Sequence, residues 1–256
     1  MPLLQTDGIT LFFGGLRAVH DFRLTIEPGQ VRGLIGPNGA GKTTIFNMLT
    51  GIYKPTSGDI LLQGQSILGM PSHEIAARGI GRTFQNMRLW RHVRVLDHVK
   101  LAQYSKIDYG LMGAFLGTPR RIRQEQEFEE RAEALLELMG VKRFADQVIT
   151  GLPYGVQRRV EIARAMALQP KLLLLDEPTA GMNPQELAEM VQIIRKIKKE
   201  FNLAIFLIEH RMRFIMDLCD VIQTLDFGEV IAEGTPEEIR DNPRVIDAYL
   251  GREAET

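Results

Sequence analysis

The sequence has one cysteine and no long hydrophobic run, and each of these scarcities excludes a class of protein. The single cysteine, Cys219, rules out an intrachain disulfide and favours a reducing compartment. No window approaches the roughly 18 consecutive apolar residues that indicate a membrane-spanning helix. Residues 1–5 lack the charged-then-apolar layout of a signal peptide. We therefore expect a cytoplasmic protein that does not cross a membrane by itself.

The chain also has almost no net charge, which argues against nucleic acid as its main partner. It contains 31 basic and 32 acidic residues, a net charge of -1, and so lacks the basic field that attracts nucleic acid. It has no evident internal repeat or low-complexity tract, so we expect one set of site motifs per chain. With 45% hydrophobic content, its 256 residues can bury a good core, either as one large α/β domain or as two smaller lobes.

The most informative stretch is a glycine-rich loop between a predicted strand and a predicted helix. Residues 36–44, GPNGAGKTT, fit the pattern G-x-x-x-x-G-K-[ST]; they follow an apolar run at 31–35 and precede a helix-like segment at 45–49. Glycines let the N–H groups of such a loop point inward, and the helix N-terminus adds positive charge. Lys42 would reach the β- and γ-phosphates, and the Thr43 hydroxyl would ligate Mg²⁺. The predicted ATP-binding residues of the loop are Gly36, Pro37, Asn38, Gly39, Ala40, Gly41, Lys42, Thr43 and Thr44.

Two acidic residues follow a run of four leucines later in the chain. Residues 172–175 suit a strand buried on both faces of a parallel sheet, and Asp176 and Glu177 come directly after it. Doubly wound sheets hold their ligands at the carboxyl ends of the strands. Asp176 can help to hold Mg²⁺, and Glu177 can polarise a water for attack on the γ-phosphate. An acidic pair at a strand end is most often a turn or a cap, but the phosphate loop upstream favours the catalytic interpretation.

Three further candidates lie at the ends of predicted strands. Gln85 follows a strand predicted at 80–84, although a lone glutamine there is usually just solvated. His210 follows a strand predicted at 203–208, where it is ordinarily a surface residue but could hydrogen-bond a phosphate. Phe13 ends an N-terminal strand and could stack on a nucleotide base. Core packing of Phe13 is equally compatible with the alternation of a strand.

The remaining pattern predicts an α/β fold with a P-loop NTPase core. Short strands at 3–6, 9–13 and 22–26 predict an antiparallel β-layer, and the alternating elements of the last third predict a mostly parallel sheet with an antiparallel edge. A helix is expected at 160–168. From 86 to 150 strands give way to helical spacing, with a loop at 108–119 and an amphipathic run at 120–139. We interpret 86–150 as a helical subdomain inserted in a single domain, 1–256.

In this order, the motifs resemble those of the ATP-binding subunits of ABC transporters over nearly the whole chain. Residues 36–44 look like the Walker A loop, 83–85 like the Q-loop, 172–177 like the Walker B strand, 180–183 like the D-loop and 209–210 like the switch-histidine loop. Phe13 falls where the family has its adenine-stacking aromatic. The stretches RTFQN at 82–86, AGMNP at 180–184, EGTP at 233–236 and AYLG at 248–251 are similar to the larger ATPase subunit of branched-chain amino acid importers.

The resemblance implies the ABC ATPase fold, ATP and Mg²⁺ as ligands, and work within a membrane complex. ATP would be sandwiched in a head-to-tail dimer, between the Walker A loop of one ATPase subunit and the signature turn of the other. Glu177 would be the general base, His210 would sense the γ-phosphate, and Gln85 would join Thr43 and Asp176 at the metal. The implied partners are integral-membrane permease subunits, a second ATPase subunit in a homo- or heterodimer and, indirectly, a periplasmic or extracellular solute-binding protein. The implied location is peripheral, on the cytoplasmic face of the inner membrane.

One motif departs from the family pattern. Residues 152–156 are LPYGV where the family usually has L-S-G-G-Q, so Pro153, Tyr154, Gly155 and Val156 are the residues expected to face the opposing ATP. Pro153 has neither the serine hydroxyl nor a backbone N–H, which removes a donor to a charged group worth roughly 1.5–3 kcal/mol. In a heterodimer, we therefore expect the site built on this signature to be the weaker one. Arg211, where many relatives carry an acid, is a second departure.

Three other functions share parts of this pattern. Soluble ABC-type ATPases that act on nucleic acid or ribosomes commonly have two nucleotide domains or long coiled-coil insertions, and this chain has neither. The ATPase of a lipid or lipopolysaccharide exporter shares the motif set and much of the size. A regulatory module that binds ATP without turnover is disfavoured by Lys42, Asp176 and Glu177. The solute stays open, since leucine-like amino acids, urea and short amides are all compatible.

Overall fold

Two β-sheets organise the chain in the computed structural model, which describes residues 1–85, 87, 89–108 and 118–253. Asn86 and most of the loop predicted at 108–119 lie outside the described residues. The strands are β1 (Leu4–Phe13), β2 (Leu16–Ile26), β3 (Val31–Ile35), β4 (Ser57–Leu62), β5 (Gln65–Ser66), β6 (Ile80–Arg82), β7 (Leu172–Asp176), β8 (Ala204–Ile208), β9 (Val221–Asp226) and β10 (Glu229–Gly234). The α-helices are α1 (Lys42–Leu49), α2 (Ser72–Ala77), α3 (Val95–Ala102), α4 (Pro119–Leu138), α5 (Tyr154–Ala167), α6 (Pro184–Phe201), α7 (Met212–Leu218), α8 (Pro236–Arg240) and α9 (Pro243–Glu253).

The two sheets differ in how their strands pair. The larger sheet has the order β10-β9-β3-β8-β7-β6, and its pairs are parallel except for the edge pair of β10 with β9. The smaller sheet has the order β2-β1-β4-β5 and is antiparallel. The predicted α/β fold, with a mostly parallel sheet and an N-terminal antiparallel layer, is confirmed.

The four leucines of β7 show why its sequence is apolar throughout. Successive side chains of a strand point to opposite faces of the sheet. Leu173 and Leu175 belong to the hydrophobic cluster that packs under the helices. Leu172 and Leu174 belong to a second cluster, which includes the antiparallel layer and α1. The strand is buried on both faces, so the sheet is the shared wall of two cores and its carboxyl edge is a rigid platform for loops.

The largest differences from the predicted strands are in β1, β2 and β6. β1 is one continuous strand rather than two, because the register shifts between Thr6 and Ile9, at Gly8 with φ 59°, act as a bulge that the pairing absorbs. β2 begins at residue 16 rather than 22. The strand predicted at 80–84 ends at 82, because the backbone N–H of Phe84 turns away from the sheet to the carboxylate of Glu161.

The helix after the signature turn also begins earlier than predicted, at Tyr154 rather than at residue 160. Pro153 takes the N-cap position with an extended ψ of 149°, so its fixed φ and missing N–H cost the helix nothing there. The packing of α5 against α3 and α4 outweighs the poor helix propensity of Gly155. The signature residues therefore form the first turn of a helix rather than a preceding loop.

The amphipathic run predicted at 120–139 forms α4, at 119–138. Its predicted apolar face is buried as expected. These residues are Phe128, Ala132, Leu135, Leu136 and Met139. Among the helices that the structure describes, none combines the length and the apolar character of a membrane span.

A histidine is buried within this helical region. The Nε2 atom of His98 lies 3.1 Å from the carbonyl oxygen of Trp90, and the imidazole stacks on the indole with ring centroids 5.6 Å apart. The Nδ1 atom is buried and has no hydrogen-bond partner among the described residues. Burial, with repulsion from Arg164, lowers the pKa of His98. The folded chain thus favours the neutral ring with its proton on Nε2.

His98 should make the fold less stable at mildly acidic pH. Its pKa is lower in the folded chain than the ordinary value of 6.5, so the unfolded chain takes up the proton first and stability falls as the pH drops below that value. We expect the melting temperature to decrease less between pH 7.5 and 5.5 in His98→Gln than in the wild type. The exposed His92 provides a matched control, His92→Gln, which should keep the wild-type slope. Equal slopes in all three proteins would contradict this account.

Candidate functional site

The phosphate loop leaves β3 at Gly36 and enters α1 at residue 42 through backbone that only glycine tolerates. Gly36, Gly39 and Gly41 have φ of 146°, 79° and 106°. A Cβ atom on Gly36 would lie 2.0 Å from the carbonyl oxygen of Leu225, and one on Gly41 would lie 2.6 Å from that of Ala18. The first and sixth residues of the motif are therefore glycine because neighbouring backbone passes too close for a side chain.

Lys42 folds back over its own loop. Its buried ammonium donates to the carbonyl oxygens of Gly36 at 2.6 Å and Pro37 at 2.8 Å. Phosphate oxygens are charged acceptors and form stronger hydrogen bonds with an ammonium than neutral carbonyls do. A nucleotide in the loop would therefore draw Lys42 away from these two carbonyls.

A cavity of about 690 Å³ opens over the loop and brings together most of the predicted site. It contains Phe13, Gln85, Glu177 and His210 together with loop residues 38–44. Gly36, Pro37 and Asp176 are not among its lining residues. Four side chains that the sequence did not indicate complete its wall. They are Leu16, Arg17, Ala18 and Phe227.

Phe13 is not a core residue, which excludes one of the two alternatives left by the sequence. Its side chain is 46% exposed and its ring packs edge-on against Tyr53, with centroids 5.3 Å apart and planes at 80°. Across the same cavity, Phe227 is 73% exposed. The Phe13 ring is thus positioned by Tyr53 and half-exposed beside the phosphate loop, where it can stack on a base.

Glu177 joins the other two predicted catalytic side chains. Its Oε1 lies 2.9 Å from Nε2 of His210, and its Oε2 accepts a hydrogen bond of 3.2 Å from the amide of Gln85. Glu177 itself has a φ of 48°, a left-handed conformation that costs energy for a residue other than glycine. The carboxylate is thus fixed from two sides at the edge of the cavity.

Asp176 is buried next to Arg82 and fits the role of a metal-site residue. Its Oδ2 lies 3.4 Å from the guanidinium of Arg82, whereas Oδ1 is buried without a hydrogen-bond partner among the described residues. Burial raises the pKa of Asp176, and the charge of Arg82 opposes the shift. Asp176, Thr43 and Gln85 offer the oxygen donors that Mg²⁺ prefers, so the residues present fit this ion.

A buried ion pair that the sequence analysis did not indicate holds these segments together. Arg158 and Glu161 lie 2.6 Å apart and both side chains have 0% exposure. Arg158 also donates to the carbonyl oxygens of Phe84 at 2.7 Å and Glu177 at 2.9 Å, and Glu161 accepts from the N–H of Phe84 at 3.0 Å. The signal was present in the sequence as an arginine and a glutamate three residues apart in α5.

A second buried carboxylate ties the switch histidine to the segment before the D-loop. Oε1 of Glu209 accepts hydrogen bonds from the backbone N–H and the hydroxyl of Thr179, and its Oε2 accepts from the N–H of His210 at 2.9 Å and of Arg211 at 3.2 Å. The guanidinium of Arg211 donates to the carbonyl oxygen of Met182 at 2.8 Å. This contact gives Arg211 a structural role that the sequence left open.

The predicted signature residues do not line this cavity. Pro153 caps α5, and Tyr154 is 41% exposed at the first turn of the helix. A Cβ on Gly155 would lie 2.8 Å from the carboxylate of Glu186. None of Pro153, Tyr154, Gly155 and Val156 lines the cavity over the phosphate loop of the same chain.

The sheet, the glycine loop and the strand-end carboxylates define a P-loop nucleotide-binding protein. The family model described as ABC transporter matches residues 19–180. A second model, described as branched-chain amino acid ATP-binding cassette transporter, matches residues 229–255. The chain belongs to the ATP-binding subunits of ABC transporters.

Relatives and solved structures match this chain over almost its full length. The high-affinity branched-chain amino acid transport ATP-binding protein LivG of Escherichia coli K12 is 46% identical, with 98% of each chain covered. The lipopolysaccharide export system ATP-binding protein LptB of Haemophilus influenzae is 32% identical, with 99% of each covered. The ADP conformation of MJ1267, an ATP-binding cassette of an ABC transporter, superposes with a TM-score of 0.85 at 28% identity, covering 98% of this chain and 99% of that one. The dimeric post-hydrolysis state of the cassette MJ0796, bound to ADP and phosphate, has a TM-score of 0.77 at 25% identity over 91% and 98%.

Arg158→Met should destabilise the chain strongly. Removing one partner of a buried ion pair leaves the other charge uncompensated, which typically costs about 3–5 kcal/mol. The neighbouring pair of Arg159 with Glu189 is half-exposed on its acidic side, so the matched variant Arg159→Met should cost below about 1 kcal/mol. Urea denaturation of the purified variants measures both values. Equal losses in the two variants would refute the structural importance of the buried pair.

Proposed function

We propose that this chain hydrolyses ATP to power a membrane importer of branched-chain amino acids or related small polar solutes. The observation that carries the proposal is the Glu177 carboxylate, held by Gln85 and His210 in the same cavity as the phosphate loop. The solute class is supported by the branched-chain model that matches residues 229–255 and by the identity to LivG.

The residues of the cavity suit attack of water on the γ-phosphate. The N–H groups of residues 38–44 and the Lys42 ammonium bind the triphosphate, and the Phe13 ring stacks on the adenine. Glu177 orients a water and accepts its proton as the water oxygen bonds to the γ-phosphorus and the bond to the bridging oxygen breaks. His210 donates a hydrogen bond to the γ-phosphate. Bound Mg²⁺, held by Thr43, Gln85 and Asp176, would supply positive charge against the phosphates.

The working unit in this proposal is a dimer on a membrane permease. In it, the signature residues 153–156, which do not line the chain's own cavity, act on the ATP of a second ATPase subunit. The permease subunits contact the inserted helical subdomain, 86–150, and a periplasmic or extracellular solute-binding protein delivers the solute to them. The chain is then a peripheral protein on the cytoplasmic face of the inner membrane.

A lipopolysaccharide or lipid exporter is the second candidate, favoured by the identity to LptB. Affinity purification of the tagged chain from gently solubilised membranes separates the two. Two permeases and a second, smaller ATPase, with loss of leucine uptake when this gene is deleted, would support the importer. Recovery of lipid-export components with unchanged uptake would refute it.

Glu177→Gln should abolish turnover without abolishing binding. The amide cannot accept the proton of the attacking water, and general bases contribute about 100-fold or more to such rates. We expect steady-state phosphate release by the purified complex to fall at least about 100-fold while ATP binding persists. The exposed Glu200→Gln is the matched control and should keep wild-type activity. Residual turnover within tenfold of the wild type would exclude Glu177 as the base.

The Pro153 signature should make the two sites of a heterodimer unequal. The site that uses this chain's phosphate loop has the partner's signature, whereas the partner's loop faces Pro153, which offers no N–H. Glu177→Gln should therefore remove most of the ATPase activity of the complex. The corresponding Glu→Gln change in the second ATPase subunit should leave most of it. Equal losses from the two variants would count against the asymmetry.

A further inference from the structure

The C-terminal helix reaches the phosphate loop. The side-chain oxygen of Tyr249, in α9, accepts a hydrogen bond of 2.8 Å from the backbone N–H of Gly36, the first residue of the loop. The two residues are 213 positions apart. Tyr249 also lies in the segment 229–255, which is matched by a different family model from the one that covers the loop. The contact thus joins the C-terminal segment, 229–255, to the phosphate loop.

The core of the protein fixes the position of this hydroxyl. Ile239 in α8 and Val245 in α9 are 1% and 4% exposed and belong to the cluster under the larger sheet, and the ring of Tyr249 packs against the same cluster. A capping box between Thr235 and Glu238 sets the start of α8. Burial raises the pKa of Tyr249, so the hydroxyl stays neutral at physiological pH.

Gly36 is held from both sides of its backbone. Tyr249 accepts from its N–H, and Lys42 donates to its carbonyl oxygen at 2.6 Å. The residue also lies against Leu225 of β9, too close for a Cβ. If Lys42 turns to a phosphate, its bond to the carbonyl oxygen is lost, and the bond from the Gly36 N–H to Tyr249 remains to hold the start of the loop.

We propose that Tyr249 is a positioning residue of the nucleotide site, through which the C-terminal helix keeps the phosphate loop in its binding conformation. A loop that is ordered before binding gives up less conformational entropy on binding. The side chain does not touch the phosphates in this account, and acts through Gly36 alone. The inference rests on the proposed ATP site at residues 36–44.

The test is equilibrium titration of the purified chain with a non-hydrolysable ATP analogue. Tyr249→Phe removes the hydroxyl and keeps the ring, and should raise the Kd about three- to tenfold, the range expected for one hydrogen bond. In the assembled transporter the KM for ATP should rise with little change in kcat. Tyr104→Phe is the matched control, because it removes a hydroxyl that bonds Glu125 at 3.0 Å in the helical region. It should leave the Kd unchanged.

Two further variants separate the ways in which the inference can fail. Wild-type affinity in Tyr249→Phe, with weaker binding in Tyr249→Ala, would show that ring packing matters and would overturn the role of the hydroxyl. A lower melting temperature of nucleotide-free Tyr249→Phe with unchanged Kd would overturn it as well. Lys42→Ala tests the underlying site: if it binds the analogue like the wild type, the proposed phosphate site is wrong and the inference falls with it. Loss of binding in Lys42→Ala together with a raised Kd in Tyr249→Phe supports both.

Discussion

The buried ion pair of Arg158 and Glu161 is the interaction on which the geometry of the site depends. Removing two charges from solvent is costly, and further hydrogen bonds from the two side chains offset part of that cost. Here those bonds go to the backbone of Phe84 and Glu177. These bonds fix the segment before Gln85 and the strained backbone of Glu177 at the same time. The desolvation that the pair costs is offset by contacts that also order the site.

At the carboxyl edge of the sheet, a second buried charged side chain also orders the loops by hydrogen bonding to their backbone. Beyond β7 and β8 the chain leaves regular secondary structure, and a buried carboxylate accepts hydrogen bonds from several of its backbone N–H groups. Glu209, 2% exposed, accepts hydrogen bonds from Thr179, His210 and Arg211 there. Charge-assisted bonds to buried carboxylates are stronger than neutral ones. They hold the loops in place while leaving Glu177 and His210 free to face the cavity.

The sequence predicted those parts of the fold and site whose cause is local. The glycine pattern of the phosphate loop and the leucine run of β7 can each be recognised within a few residues, although the backbone that excludes a Cβ on Gly36 belongs to the distant Leu225. Contacts that span the chain were not predictable in this way, and the bond from Gly36 to Tyr249 crosses 213 positions. α5 also begins at Tyr154 rather than at the predicted residue 160, because tertiary packing extends the helix over the turn-like residues before it. Arg158 therefore lies in the helix, three residues before its partner Glu161, rather than in the predicted turn.

The position of Pro153 explains how the chain can lose a donor at the signature without losing its fold. At an N-cap the backbone N–H makes no intrahelical bond, so α5 forms as well with proline as with serine in this respect. In the proposed dimer, the missing N–H would weaken the contact with a partner's nucleotide. The same helix carries Arg158, which bonds the backbone of Glu177. If the signature closes on a partner's ATP, the movement of α5 would displace Arg158 and, through it, the backbone of Glu177. This connection is a physical route by which two unequal sites can stay coupled.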